Sequence, residues 1–241
     1  MNELLIKCVE LHIAHDLYKL FFCMGFVSVF LMVTLFGRKL NIPVKKSVVI
    51  VLIVYPTLVL LMFVMAWVEN GFKAFGDNNI VRVFVYGPVV AYPVAKLLKL
   101  TWKDVCGVLS VGPLAVHAVS HFGCIFAGCC RGYPCSWGLY NVATKDIRFP
   151  SQPLEAIIAW LIIFYLWGRA KKNNYKMDGL EYPIMLVLFG GTRFLCEFLR
   201  DNEKLWLGCS GLAFHALFMF VVGIIAIAVI RKKIAGQAVQ N

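Results

Sequence analysis

Two stretches of the chain carry no ionised side chain across the full width of a bilayer. Ser47–Val68 and Cys209–Ile230 are each 22 residues long, and neither contains Asp, Glu, Lys or Arg. About 20 consecutive apolar residues, rising 1.5 Å each, match the ~30 Å hydrocarbon core of a membrane. Lipid offers no partner to the backbone, so such a stretch folds as a helix, whose hydrogen bonds close within the segment. The rest of the chain agrees. It is 61% hydrophobic and 15% charged, where a soluble domain holds about 45–50% apolar and ~25% charged residues.

The pattern predicts an all-α integral membrane protein with about seven transmembrane helices, near residues 17–36, 48–68, 79–98, 104–127, 153–168, 179–198 and 209–230. Basic residues orient such a bundle, because cytoplasmic connections collect Lys and Arg. The connections after the first, third and fifth spans, with the tail, hold Arg38, Lys39, Lys45, Lys46, Lys96, Lys99, Lys103, Arg169, Lys171, Lys172, Lys176, Arg231, Lys232 and Lys233, fourteen in all. The opposite connections hold seven: Lys7, Lys73, Arg131, Lys145, Arg148, Arg200 and Lys204. The asymmetry predicts an outside N-terminus and a cytoplasmic C-terminus. It also accounts for the net charge of +11 as a topogenic signal and a grip on anionic lipid, with no nucleic-acid partner implied.

Residues 1–241 are expected to form a single polytopic domain. Within it, residues 1–15 make a weakly amphipathic segment lying in the outer interface or pairing with a neighbouring loop, and residues 131–150 make an ordered outer loop with Gly132, Pro134 and Gly138. Glu3 and Glu10 stand against a single Lys7, the reverse of a basic leader, so the first apolar run is expected to stay as a helix. Pro56, Pro88, Pro93 and Pro113 fall within the spans and suggest kinks.

Ionisable groups inside a span are costly and mark sites by default. Arg193, Glu197 and Arg200 stand at i, i+4 and i+7, on one helical face, with Gly190 and Gly191 before them to admit a neighbouring helix or a ligand. Arg193 is expected to face the bundle interior with Glu197 as its partner, either as a structural salt bridge or as an anion grip whose guanidinium fork suits phosphate oxygens. His117, His121 and Cys124 repeat the same spacing and lead into Gly128-Cys-Cys-Arg-Gly132 and then Cys135. Imidazole and thiolate are zinc and copper ligands. With no Cys-x-x-Cys pair present, a metal site weighs less than the alternatives: cysteines as small apolar fillers, or a bridge from Cys135 to Cys129 or Cys130 in an oxidising exterior. The fifth span opens Arg148-Phe-Pro-Ser-Gln-Pro-Leu-Glu155. Ser151 and Glu155 there read as capping chemistry, which leaves the gathering of Arg148, Gln152 and Glu155 at the outer surface unexplained. His12, His15 and His215 are expected to be structural.

Three of these stretches together resemble the prolipoprotein diacylglyceryl transferase family. Arg148 to Glu155 looks like that family's Arg-His-Pro-Ser-Gln-Leu-Tyr-Glu. Arg193-Phe-Leu-Cys-Glu197-Phe-Leu-Arg200 resembles its Arg-Phe-x-x-Glu-x-x-Arg. His117 to Gly132 is similar to its Gly-Arg-x-Gly-Asn signature and closer to a cysteine-bearing branch ending Gly-Cys-Cys-x-Gly. Tyr18, eight residues before Phe26, and Tyr86-Gly87 are weaker echoes. The chain departs from the pattern too. The signature Arg is His121, preceded by Ser120, the signature Asn is Cys124, and the motif His is Phe149. Phe189 replaces a Tyr, and the Gln near the last span is missing around His215.

The resemblance implies transfer of a diacylglyceryl group from phosphatidylglycerol to the cysteine thiol of a lipoprotein-precursor peptide, in the bacterial inner (cytoplasmic) membrane, with no metal and no cofactor. It implies catalytic roles for Arg193, His121, His117, Glu155 and Glu197, and contacts to substrate from Arg200, Arg148, Gln152, Ser151, Tyr18, Tyr86 and Gly132. Two rivals stand beside it: a membrane thiol oxidoreductase using Cys129, Cys130 and Cys135, and a non-catalytic lipid-binding paralogue.

Overall fold

A computed structural model of the chain describes residues 1–69, 84–202 and 210–239. Residues 79–83 of the expected third span, Lys73, Arg82, Lys204 and Cys209 lie outside the described residues.

After a short N-terminal helix, α1 (Asn2–Glu10), helices stand at each of the expected spans: α2 (Ala14–Lys39), α3 (Val44–Glu69), α4 (Gly87–Leu98), the pair α5 (Trp102–Leu109) and α6 (Gly112–Ala127), α7 (Ser151–Lys172), α8 (Glu181–Glu197) and α9 (Gly211–Val239). Among the described residues, five are long and apolar enough to cross a membrane unaided: α2, α3, the α5–α6 run, α7 and α9. Phe84–Leu98 and the 17-residue α8 are shorter. The chain is a multi-pass helical membrane protein. Between α6 and α7 lies an antiparallel hairpin of β1 (Pro134–Asn141) and β2 (Asp146–Arg148).

The ends of these helices follow their chemistry. Asp16 sits in the first turn of α2 and Arg38 and Lys39 in its last, each complementing the helix dipole. Thr101 caps α5 by accepting from the Asp104 N–H at 3.1 Å. Lys46 donates to the Leu98 carbonyl at 2.7 Å, where α4 runs out of partners. Two of the four prolines expected to kink spans do otherwise: Pro88 and Pro113 stand in the first turns of α4 and α6, where a missing N–H costs nothing. Pro113 thereby divides the expected 104–127 span into two helices. Pro56 and Pro93 do lie inside helices.

Small residues bring the helices together. On α8, a Cβ at Gly190 would stand 2.8 Å from the Ala216 carbonyl of α9, so that glycine seats a helix. Gly25 of α2 lies against Ser120 and Val116 of α6, and Gly123 of α6 against Phe21. The α5–α6 run forms the central mast: 72% of its apolar window is buried, against 22–39% for the other four spans. Phe36, Val54, Ile163 and Met185 share one core cluster with Leu114 of the mast, while Leu52, Leu60, Leu161, Phe164 and Ile225 point outward as lipid-facing side chains do. The N-terminal segment pairs with the hairpin: the Asn2 side chain accepts from the Tyr140 N–H at 2.9 Å and donates to the Gly138 carbonyl at 3.2 Å.

Candidate active site

Three helices supply the polar centre. The α6 register turns His117, His121 and Cys124 to one side, the first turns of α7 deliver Glu155, and α8 with its C-terminal extension brings Arg193, Glu197 and Arg200. Glu155 is the hub, 3% exposed. Its Oε1 accepts from Arg200 Nε at 2.7 Å. Its Oε2 faces Arg193 Nε at 3.6 Å, His117 Nε2 at 3.5 Å and His121 Nδ1 at 3.7 Å. Arg193 Nη1 donates to Glu197 Oε2 at 2.7 Å, and Glu197 Oε1 accepts from Asn202 and Ser210. The imidazoles of His117 and His121 lie with centroids 3.9 Å apart, and His117 meets Phe189 edge-on.

Two carboxylates therefore face two guanidiniums in a buried setting, so their charges balance one for one. That balance is what makes four buried ions tolerable. Several atoms are nevertheless left without a hydrogen bond. Buried Arg200 Nη2, His117 Nε2, His121 Nδ1 and Glu155 Oε2 have none among the described residues. Spare donors and acceptors of this kind are expensive in a folded core unless a ligand uses them.

A turn closes one side. Gly128 (φ 68°) and Cys130 (φ 54°) both adopt the left-handed conformation, which a cysteine enters only under constraint. The constraint is visible: Gln152 Nε2 donates to the Cys129 carbonyl at 2.8 Å, Ser151 Oγ to the Cys130 carbonyl at 2.7 Å, and Asn141 Nδ2 to the Gly128 carbonyl at 3.0 Å. Beyond the turn, Gly132 pairs with Arg200 in an isolated antiparallel bridge, and a Cβ at Gly132 would stand 2.5 Å from the Phe149 carbonyl. Arg148 is tied down by Asp146, at 2.8 Å, and by Asp201.

Among the described residues, the eight cysteines are free thiols. His121, Cys124 and Cys130 bring one ligand atom each within 4.8 Å of one another, as do His117, His121 and Glu155. Cys135 stands apart, its thiol directed to the Trp137 carbonyl.

Comparison with known proteins follows the same residues. The family model described as Prolipoprotein diacylglyceryl transferase matches residues 6–229. The chain belongs to that family. Among curated relatives, it is 22% identical over 164 residues to a phosphatidylglycerol–prolipoprotein diacylglyceryl transferase 2 of Clostridium perfringens, covering 64% of this chain and 63% of the relative. It is 32% identical over 107 residues to a phosphatidylglycerol–prolipoprotein diacylglyceryl transferase of Campylobacter curvus, covering 43% of this chain and 38% of the relative. The matched stretches thus span less than two thirds of these transferases' own lengths.

Within this transferase-family chain, the structure gathers His117, His121, Glu155, Arg193, Glu197 and Arg200 at one point. The other residues singled out from the sequence surround that point without joining it. Ser151 does not cap α7, whose start has no side-chain cap; it and Gln152 hold the cysteine turn. Arg148 and Gly132 lock the hairpin side to the segment after α8. Tyr18 lines an open cavity of about 550 Å³ with His12, His15, Phe126, Cys129 and Val142. Tyr86 lines a different hollow with Met65, Phe214, His215 and Phe218. Asn202, Ser210 and Asp201 are contributors that sequence periodicity does not signal, since each lies outside a helix.

Proposed function

We propose that the chain transfers a diacylglyceryl group from phosphatidylglycerol to the cysteine thiol of a lipoprotein-precursor peptide, as the names of its relatives describe for those proteins. The observation that carries the reading is the buried Arg193–Glu155–Arg200 arrangement, with an unpartnered guanidinium nitrogen on Arg200 and two imidazoles beside it.

The reaction needs those parts. The acceptor sulfur attacks the glyceryl carbon that bears the phosphate ester. The carbon–oxygen bond breaks, and glycerol phosphate leaves with the electron pair. A thiolate is the competent nucleophile, so a base must take the thiol proton. His117 or His121 fills that role, with Glu155 oriented to stabilise the imidazolium that results. Arg193 and Arg200 hold the phosphate, whose charge grows as the bond breaks, and a preorganised fork in a low-dielectric site stabilises it more than water would. Glu197 positions Arg193. Ser151, Gln152, Arg148 and Gly132 support the substrate site by fixing the turn and the bridge at its edge, and Tyr18 and Tyr86 stand toward the lipid.

In this reading the chain forms one domain in the bacterial inner membrane, N-terminus outside and C-terminus cytoplasmic, with the hairpin on the outer face where phospholipid and precursor meet. The test is direct. Purified protein is incubated with phosphatidylglycerol and a cysteine-containing precursor peptide, and the peptide is examined by mass spectrometry. A diacylglyceryl adduct on the cysteine supports the proposal; an unmodified peptide with folded protein and intact lipid overturns it.

A further inference from the structure

The thiols around the Gly128–Cys130 turn are not used by the transfer reaction, yet they are the most elaborately built feature next to it. Cys124 and Cys130 come from opposite sides of the turn, and their sulfurs lie with a His121 nitrogen inside a 4.8 Å circle. The Cys129 thiol is directed instead to the Cys124 carbonyl, at 4.0 Å. Apolar filling does not explain such convergence. A filler cysteine needs no strained backbone, whereas Cys130 sits at φ 54° and the carbonyls of Cys129 and Cys130 are pinned by two side chains of α7 that are themselves buried.

We propose that His121, Cys124 and Cys130 form a three-donor site for a thiophilic metal ion, namely zinc, with the fourth position left to a small ligand. Ligand separations in a tetrahedral zinc site follow from Zn–S of about 2.3 Å and Zn–N of about 2.0–2.1 Å, which place neighbouring donors roughly 3.5–4 Å apart. The observed grouping needs only a small inward turn of the side chains to reach that spacing. The charges suit the surroundings as well. Zinc with two thiolates and a neutral imidazole carries no net charge, so it adds no positive charge beside Arg200, which lies near enough to Cys130 to interact with it electrostatically. A ligating imidazole ordinarily turns its other nitrogen to a carboxylate, and His121 Nδ1 faces Glu155.

The alternative trio of His117, His121 and Glu155 is a poorer host. Both oxygens of Glu155 already face guanidiniums, at 2.7 and 3.6 Å, and a dication there would be repelled by two fixed positive charges. This proposal goes beyond the transfer reaction and does not depend on it. If both hold, the base of the transfer is His117, since a metal-bound His121 has no lone pair to spare.

The test uses the full chain, purified in detergent under reducing conditions, exposed to zinc and dialysed. Elemental analysis is expected to find about one zinc per chain. Cys124→Ser, Cys130→Ser and His121→Ala should each lose most of it, while Cys23→Ser and Cys135→Ser keep it. Should a variant fail to fold, the wild-type protein still decides. Alkylation followed by peptide mapping should find Cys124 and Cys130 shielded with zinc bound and reactive after a chelator, with Cys135 reactive in both states. Cobalt substituted for zinc should give thiolate-to-metal charge-transfer absorption. No zinc uptake, uptake unchanged in Cys124→Ser and Cys130→Ser, or a native disulfide joining these cysteines would each overturn the proposal.

Discussion

Glu155→Gln removes one charge and almost no volume from the centre of the molecule. The carboxylate now accepts from Arg200 at 2.7 Å and faces Arg193 at 3.6 Å, at 3% exposure. Its loss leaves Glu197 as the single carboxylate for two guanidiniums. Removing one partner of a buried ion pair costs about 3–5 kcal/mol, mostly because the other charge stays buried without compensation. For a chain of this size each kcal/mol lowers the melting temperature by about 2–4 °C, so the variant is expected to melt roughly 6–20 °C below the parent. Thermal unfolding in detergent, followed by tryptophan fluorescence or by loss of monodisperse protein, measures the shift. A second substitution sharpens the test. Arg200→Met takes away the stranded charge and replaces it with apolar bulk, so the double variant should be more stable than the sum of the two single effects. A single variant melting within about 2 °C of the parent, or single effects that simply add, would show that Glu155 is not what holds the two guanidiniums.

Three further outcomes are expected. Arg193→Lys keeps the charge beside Glu197 but loses the bidentate fork, so transfer activity should fall at least about tenfold while the melting temperature moves little; near-parental turnover would show that Arg193 does not grip phosphate. Labelling of single cysteines placed in residues 131–150 and 169–178 should find the first group open to a membrane-impermeant reagent and the second closed in intact cells, as the basic asymmetry requires. Gly132→Ala should destabilise by about 1–3 kcal/mol because its Cβ has a backbone carbonyl at 2.5 Å, whereas Gly168→Ala, with nothing within 4 Å, should be neutral or gain up to about 1 kcal/mol from helix propensity. Thermal unfolding of the two variants side by side distinguishes them.

The polar centre was legible where one element carried the whole signal. Arg193 and Glu197 are one turn apart in an apolar stretch, and the cost of either in lipid forces both inward together. The His117–His121–Cys124 face follows from the same spacing. What local pattern could not convey was the partner across space. Ser151 looks like a capping residue because its sequence neighbours are those of a helix start; its hydroxyl goes instead to a carbonyl 21 residues earlier, which a left-handed turn has left without a donor. The gathering of Arg148 at the outer surface has no explanation within its own motif, because its partners are Asp146 on the same strand face and Asp201 arriving from beyond α8. Pro113 fits both a kinked helix and a helix start, and Ser110 decides between them by turning its hydroxyl back to the Gly107 carbonyl as α5 ends.

The mast of α5 and α6 also bears on how the molecule is made. Its window and that of α7 are the least apolar of the five long spans, and α8 is shorter than any of them. These are the segments that carry the histidines, the acids and the arginines. Helices α2, α3 and α9 are the most apolar of the five long spans, whereas the site-bearing helices carry ionisable groups that are costly in lipid until they meet one another. Insertion and assembly of the second half must therefore proceed together, with Arg193 and Arg200 meeting Glu155 and Glu197 before either guanidinium faces lipid. A nascent chain stalled after α7 would hold Glu155 in the membrane with no cation to meet it, and would be the natural target of membrane quality control.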